Sequence, residues 1–330
     1  MMPIAFCLIL GLRPALEAQA DPTVVADAHQ LRFHSDMWMN LHHTLYAAAW
    51  ARRPEAGTLR ALAGGLPAAL PVDGLTPEER KAWTDAVDYY DRQLAARDLL
   101  FDERMDAIKS ALAAGDLSRP SIGSDLRAVL QAAGPVYRGR FWPEHDRANR
   151  AWIAAAVERI RVIGAPTIAR LAHVYETTWF TSPVRVDVVW VGNRQGAYTT
   201  TTPPHAVLSS GDRELTGWTS AEIVFHEVSH VLVAKVSRAI NTALGDRRRE
   251  DGQLWHVVQF YLTGAVVQEA LRSRGIDYEP YMYATGLLDR AWGRYRKPVE
   301  ENWKPYLDGR VSLDEAVSRT VAAVGGGPHE

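Results

Sequence analysis

The sequence predicts an α+β, mostly helical fold, and three observations support this class. From about Leu31 to Gly164, apolar residues recur at helical spacing. A region rich in Val and Thr, from about Val184 to Ser209, alternates as strands do. The chain after that region is helical again. Strands gathered in one segment between helical segments are typical of the α+β class and indicate a small mixed sheet.

Composition describes a globular chain and points away from two kinds of partner. The chain has 330 residues, of which 47% are hydrophobic, and this is ample for a sizeable core. The formal net charge is -2, so overall charge points to neither nucleic acid nor an anionic membrane surface. Eleven Trp and twelve Tyr predict extensive aromatic packing and a cleft lined with rings. Oligomeric state is left open.

Residues 1–20 are predicted to be a signal peptide. A short apolar run, PIAFCLILGL, is followed by a small-x-small cleavage pattern from Ala18 to Ala20. The run is too short to span a bilayer as a helix. We therefore expect an exported protein, periplasmic or secreted, whose mature chain begins near Asp21. The single cysteine, Cys7, lies in this segment, which leaves the mature chain without a disulfide or a thiolate ligand. A terminal tail or a buried first helix is the alternative.

The first lobe, residues 21–165, is predicted to contain helices only. Apolar and aromatic residues of Leu31–Arg53 fall at helical spacing. A second helix is expected from Pro77 to Ala114, with a break near Asp98, because a capping box at Thr76–Glu79 precedes it. Two shorter helices are predicted at Asp125–Ala133 and Glu144–Ile163.

The second lobe, residues 166–330, is predicted to contain the strands and the metal-binding residues. VRVDVVWVG alternates as a strand does. GAYTTTTPPHAVLSS indicates two short strands, Ala197–Thr201 and Ala206–Ser209, separated by a pair of prolines. The next segment is an apolar helix, so that sheet and helices meet at that point of the chain.

The stretch TSAEIVFHEVSHVLVAKV contains the clearest chemical signal. His226, Glu227 and His230 follow the order H-E-x-x-H. The helix is expected to begin at a capping box of Thr219 and Glu222. Two histidines one turn apart face the same way and can offer two nitrogens to a tetrahedral zinc ion. Their neighbours are apolar, where unpaired polar groups are costly. A pair of hydrogen-bonded core histidines beside a solvated glutamate is the alternative.

A third ligand is expected from the next apolar helix, Asp251–Arg274, which ends before Gly275. A catalytic zinc usually has three protein ligands and one open position. No histidine follows His230 within six residues, so the short extended motif is absent. The helix offers His256 and Glu269, of which we favour His256. A buried histidine bonded to a backbone carbonyl is the alternative for His256, and an ion pair is the alternative for Glu269.

HEVSH on a helix, preceded by the edge-strand-like GAYTT and followed by a second ligand-bearing helix, resembles the zincin metallopeptidases of gluzincin type. The resemblance covers roughly Val184 to Arg274 and implies that the second lobe is zincin-like. It implies that His226 and His230 are zinc ligands and that Glu227 is the general base. It also implies that Gly196–Thr199 pairs with an extended substrate.

The chain departs from the gluzincin pattern at the third ligand. Gluzincins use a glutamate there, usually with a supporting acid one turn later, whereas His256 is favoured here and Ser273 lies four residues after Glu269. The pattern is also similar to a group of uncharacterised exported bacterial proteins that have LWH followed by FY and TG on this helix. No substrate follows from that similarity.

Further candidate residues lie on both sides of the motif. Tyr281 and Tyr283 are candidate donors to a developing oxyanion, with packing as the alternative. His34, His42 and His43 lie in the first predicted helix. They either line the cleft from the other lobe, or hold a second metal, or form an aromatic interface, which is the favoured alternative.

The sequence therefore predicts a zinc-dependent hydrolase, with a metallopeptidase as the favoured type. Glu227 would activate a zinc-bound water that attacks a peptide or small amide substrate. One alternative is a non-catalytic protein whose helices are joined by zinc, with His42 as a candidate fourth ligand. Another is a zinc hydrolase of non-peptide amides or esters.

The charged run Asp246–Glu250 is either a solvated turn or a contact for an acidic substrate group. The chain has no phosphate loop, dinucleotide fingerprint or G-x-S-x-G motif.

Overall fold

The computed structural model describes residues 21–53, 72–192 and 196–325. The predicted signal peptide and Cys7 lie outside these ranges. The fold is α+β and mostly helical, with a mixed five-stranded sheet. Within the described ranges, no helix combines the length and the apolar composition that crossing a membrane requires.

The strands are β1 (Val24–Ala28), β2 (Leu31–His34), β3 (Val184–Val189), β4 (Ala197–Thr201) and β5 (Pro204–Ser209). The helices of the first half are α1 (Met37–Trp50), α2 (Pro77–Gln93), α3 (Glu103–Ala113), α4 (Ser124–Arg140) and α5 (Trp142–Val174). Those of the second half are α6 (Trp218–Leu232), α7 (Ala234–Leu244), α8 (Arg248–Asp251), α9 (Leu254–Arg272), α10 (Tyr281–Ala284), α11 (Leu287–Leu307) and α12 (Leu313–Gly325).

The sheet has the order β1-β2-β3-β5-β4. Strands β2, β3 and β5 run parallel, while β1 and β4 pair antiparallel at the two ends. The central strands are buried on both faces, as parallel strands between helical layers usually are. Strand β4 therefore forms one edge of the sheet, directly before the chain enters α6.

Strand β2 corrects the prediction that the first lobe contains helices only. The segment predicted as one helix from Leu31 divides into β2 and α1, and Asp36 caps α1 by accepting from the Met39 N–H. In β2, Leu31 and Phe33 are buried and Arg32 between them is exposed. This alternation is too short to stand out against the helical pattern that follows. The strand depends on pairing with β3, about 150 residues away, which no local pattern reveals.

The capping box in front of α2 is confirmed, since Thr76 and Glu79 bond each other's backbone N–H groups. The predicted break is confirmed as well. The carboxylate of Asp98 accepts from two N–H groups of the connecting turn, and Asp102 caps α3. Local side-chain chemistry is therefore enough to place these helix ends.

Helices α4 and α5 are longer than predicted. The predicted ends fall directly before Gly134-Pro135 and Gly164-Ala165-Pro166, which are breaker signals, yet both helices continue through them. At Gly134 and Gly164 a side-chain Cβ would come within 3.0 Å and 2.4 Å of the rings of Trp38 and His29. Close packing at these glycines overrides the local breaker signal.

The sheet separates two apolar cores. Alternate residues of β3 and β5, such as Val186 and Leu208, face the core that contains α5, α6 and α9. The intervening residues Val189 and Val207, with Tyr198 of β4, face the core formed by α1 to α4. The predicted boundary between residues 165 and 166 falls inside α5, and β1 and β2 belong to the sheet. The predicted division into two lobes therefore does not coincide with these cores.

A buried charge cluster lies on the α1–α4 face of the sheet. Asp187 is fully buried and accepts from Arg185 at 2.6 and 3.0 Å and from His205 Nε2 at 2.6 Å. Burial alone would raise the pKa of Asp187. The hydrogen bonds and charges of His205 and Arg185 outweigh burial and hold this pKa well below its usual range.

We predict that Asp187→Asn lowers the free energy of unfolding by about 3–5 kcal/mol, because it leaves Arg185 buried without its anion. Asp27→Asn is the matched control, since Asp27 pairs with Arg32 on the surface, and its loss should stay below about 1 kcal/mol. Urea unfolding of the three proteins measures both values. Equal losses in the two variants would contradict the role given to Asp187.

Candidate metal centre

Helices α6 and α9 bring three histidines together. His226 and His230 lie one turn apart on α6, and His256 lies in the first turn of α9. One ring nitrogen of each lies within 4.8 Å of the other two, and the Nε2 atoms of His226 and His256 are 3.3 Å apart. Two nitrogens on one tetrahedral zinc, each at about 2.0–2.1 Å, are about 3.3–3.4 Å apart. These residues, called the histidine triad below, could therefore hold a metal ion.

The triad is held in the neutral form that a metal ligand requires. Burial lowers the pKa of His230 to about 4 and, together with the neighbouring His230 ring, that of His256 to about 3. Burial and the other two rings lower the pKa of His226 well below its usual value. A neutral imidazole keeps one nitrogen lone pair available for a cation.

The outer side of His226 is unusual for a metal ligand. Its Nδ1 is buried and has no hydrogen-bond partner within the described ranges, whereas ligand histidines usually donate that N–H to a carboxylate or a carbonyl. The ring is held by Phe260, which stacks on it with 3.7 Å between centroids. The backbone carbonyl of His226 accepts from Gln259 Nε2 at 2.8 Å. Packing, rather than an outer hydrogen bond, orients this ring.

Two half-buried tryptophans flank the triad. Trp255 lies 5.8 Å from His230, and Trp292 lies 5.5 Å from His256, between ring centroids. Trp292 has non-helical backbone angles, φ -141° and ψ 26°, and marks a kink within α11. The aromatic walls of the cluster therefore come from α9 and from this break in α11.

Glu227 lies on α6 beside the triad. Its side chain is buried, and Thr199 Oγ1 of β4 donates to its Oε2 at 2.8 Å. The Nε2 atom of His230 is 4.0 Å from the same oxygen. Burial raises the pKa of Glu227 to about 7, against the opposing effect of the Thr199 hydrogen bond. A carboxylate with a pKa in this range is suited to accept and return a proton near neutral pH.

Glu269, the alternative third ligand, is placed away from the triad. It lies at the exposed end of α9, with 64% of its side chain accessible, and its carboxylate is 3.5 Å from Arg170 of α5. The ion pair given as its alternative role is thus present, with Arg170 as the partner.

The two candidate tyrosines have different surroundings. Tyr281 stacks on Phe260 with 6.2 Å between centroids and donates its hydroxyl to Glu214 at 3.1 Å. Tyr283 donates to Glu300 of α11 at 3.0 Å. Tyr281 is therefore one ring removed from the triad, whereas the hydroxyl of Tyr283 is directed to α11.

The histidines of the first lobe are not grouped with the triad. His34 lies on β2, not on the first helix, and its Nδ1 bonds Thr23. His42 bonds Tyr90 at 2.9 Å, within the α1–α4 core. His43 bonds Tyr198, whose ring is on the sheet face opposite Glu227. Each ring has its own partner, and His42 is not in the cluster that could hold a metal.

Glu222 is a buried residue whose role the sequence did not reveal. The predicted capping box of Thr219 and Glu222 is wrong, because α6 begins after Gly217, at φ +59°, without a side-chain cap. The Glu222 carboxylate turns instead to the segment after α9, where it accepts from the Tyr278 hydroxyl and the Tyr281 N–H. An acid within an otherwise apolar helix was the available signal. Burial raises the pKa of Glu222 to about 7, although these hydrogen bonds lower it.

The charged run between the motif helices contains arginines with different roles. Arg247 donates to Asp251 and to the Val321 carbonyl. Arg248 lines a surface groove of about 450 Å³ together with Arg238 and neutral residues of α7. The groove is separate from the triad, which does not line it.

Comparison of the chain with protein-family models, with curated proteins and with solved structures gave no match. The class of the site is therefore defined by its side chains. It is a cluster of three neutral imidazoles, one buried and two half-buried, that could hold a metal ion, next to a buried carboxylate.

We predict that Glu222→Gln makes stability less dependent on pH. The folded-state pKa of Glu222, about 7, lies above its ordinary value of 4.5. The stability that the protonated group contributes is therefore full below pH 4.5 and is lost as pH rises through about 7. Gln keeps the acceptor for Tyr278 and does not titrate.

The measurement is urea unfolding of metal-free protein at about pH 5 and about pH 8. Wild type should lose more free energy of unfolding between the two pH values than Glu222→Gln does. The exposed Glu269→Gln variant is the control and should follow wild type. Parallel pH curves for wild type and Glu222→Gln would rule out the linkage.

Proposed function

We propose that this chain is a zinc-dependent hydrolase of zincin type that cleaves peptide bonds. The observation that carries the proposal is the convergence of three neutral imidazoles next to the buried carboxylate of Glu227. Structural zinc sites are closed by four protein ligands, whereas catalytic sites keep a position open. A set of three protein ligands supports the catalytic type.

Zinc is the ion that best suits these ligands. Three imidazole nitrogens within 4.8 Å of one another, with the Nε2 atoms of His226 and His256 3.3 Å apart, suit its tetrahedral coordination. The residues proposed to bind zinc are His226, His230 and His256. When bound there, zinc supplies a Lewis acid that polarises the substrate carbonyl and acidifies water.

Glu227 is proposed to be the general base and then the general acid. Its carboxylate accepts a proton from the attacking water and returns that proton to the leaving amine. The carboxylate is on the same helix as two of the proposed ligands, with Oε2 4.0 Å from His230 Nε2, and this proximity supports both steps. Tyr281 and Tyr283 remain candidate oxyanion donors, of which Tyr281 is the nearer through Phe260. Export of the mature chain also remains a proposal, based on residues 1–20.

A peptide substrate is favoured over a small amide by the position of β4. This strand is at the edge of the sheet and its Thr199 side chain bonds the proposed base. An extended peptide can add to such an edge through backbone hydrogen bonds. The aromatic walls formed by Trp255 and Trp292 support a second candidate, a zinc hydrolase of small non-peptide amides or esters.

The metal proposal predicts that purified mature protein contains about one equivalent of zinc. His256→Ala should lose most of this zinc, because two ligands remain, whereas Glu269→Ala should retain it. His173→Ala, an exposed histidine of α5, is the matched control and should bind zinc as wild type does. Elemental analysis after dialysis measures the content.

Two results would overturn this assignment. Zinc loss in Glu269→Ala with retention in His256→Ala would make the glutamate the third ligand, as in ordinary gluzincins. Absence of bound metal from wild type, even after zinc is supplied, would end the hydrolase proposal.

The catalytic proposal predicts that Glu227→Gln retains zinc and lowers kcat by about 10²–10⁴-fold, the usual contribution of general acid–base catalysis. Cleavage of a peptide library, followed by mass spectrometry, provides the substrate and the rate. Chelation should abolish the cleavage, and zinc should restore it. Undiminished cleavage by Glu227→Gln would contradict the role of this residue.

A further inference from the structure

We infer that Thr199 positions the general base, Glu227, with its side chain. The inference rests on the proposed hydrolase function and extends it to a residue on the sheet. Thr199 is a positioning residue, because it acts on the reaction through Glu227. Its two relevant features are the side-chain bond and the attachment of its strand.

The side chain of Thr199 is fixed against Glu227. The two side chains are almost fully buried, with 4% and 5% of the residues exposed. The hydroxyl donates to Oε2 at 2.8 Å. A threonine in a strand has few side-chain rotamers, so its hydroxyl has a defined direction. This bond selects one rotamer of the carboxylate and holds its Oε2 beside the triad, 4.0 Å from His230 Nε2.

The residues on either side of Thr199 connect strand β4 to helices of the first half of the chain. Tyr198 shares a hydrogen bond with His43 of α1, and Thr200 accepts from the buried Lys109 of α3. Both bonds are on the face of the sheet opposite Glu227. They fix the position of the strand, while Thr199 between them bonds Glu227 on the other face.

The side-chain role is tested with Thr199→Val, which keeps the shape and removes the hydroxyl, and with Thr199→Ser, which keeps the hydroxyl. Thr201→Val is the matched control, since Thr201 is an exposed residue of the same strand. Thr199→Val should retain zinc and KM, because the backbone is unchanged, and lose about 10–100-fold in kcat, as expected for a hydrogen bond to a charged group. Thr199→Ser should restore kcat.

A readout without turnover uses acetohydroxamate, whose hydroxyl can bond the Glu227 carboxylate when the probe binds the metal. Its Kd on cobalt-substituted protein, followed by visible absorption, should rise about 10-fold or more in Thr199→Val and stay at the wild-type value in Thr199→Ser. The Thr201→Val control should match wild type in both assays.

The remaining outcomes are also decisive. Wild-type kcat and Kd in Thr199→Val would overturn the positioning role and leave the hydrolase proposal standing. Zinc loss or unfolding in Thr199→Val, without recovery in Thr199→Ser, would show a purely structural residue. If wild type neither binds metal nor cleaves peptides, the proposed function fails first, and the inference fails with it.

Discussion

The burial of helix α6 is the constraint on which the candidate site depends. One side of the helix packs on the sheet and another on α9, so its polar side chains are removed from water. Desolvation favours the uncharged form of every titratable group. It keeps the histidines neutral and moves the two glutamates of α6 towards neutrality. The apolar neighbours thus determine which protonation states are available for chemistry.

The sheet connects this site to the rest of the molecule. Because strand residues alternate between faces, β4 directs Thr199 to α6 while Tyr198 joins the core of α1 to α4. The helices that contain no proposed ligand or base therefore still contribute to the site, by fixing the strand on which it is built. The interface between the two cores is a shared sheet with apolar side chains on both faces.

The elements predicted correctly depend on local chemistry. The α2 capping box, the turn at Asp98 and the spacing of His226 and His230 all involve residues a few positions apart. The proximity of His256 to these two histidines could also be anticipated, because the next helix offers a histidine early in its length. Periodicity and residue spacing were sufficient in these cases.

The features that were missed depend on contacts between distant residues. Strand β2 exists because of β3, and Glu222 faces Tyr278, 56 residues later, rather than its own N–H groups. The bond from Thr199 to Glu227 joins two elements whose packing is not visible in either segment. The predicted helix ends before Pro135 and Pro166 were wrong for the same reason, since tertiary packing supports helices that local signals would end.

The unpaired Nδ1 of His226 bears on how firmly an ion would be retained. To coordinate through Nε2, this ring must carry its proton on Nδ1, where the buried N–H finds no acceptor among the residues that the structure describes. Leaving such a donor unsatisfied costs about 1–3 kcal/mol, and outer hydrogen bonds to ligands typically contribute about 10–100-fold in metal affinity. An ion held by these three rings would therefore bind more weakly, by about that factor, than at a site with the same ligands and a complete outer shell.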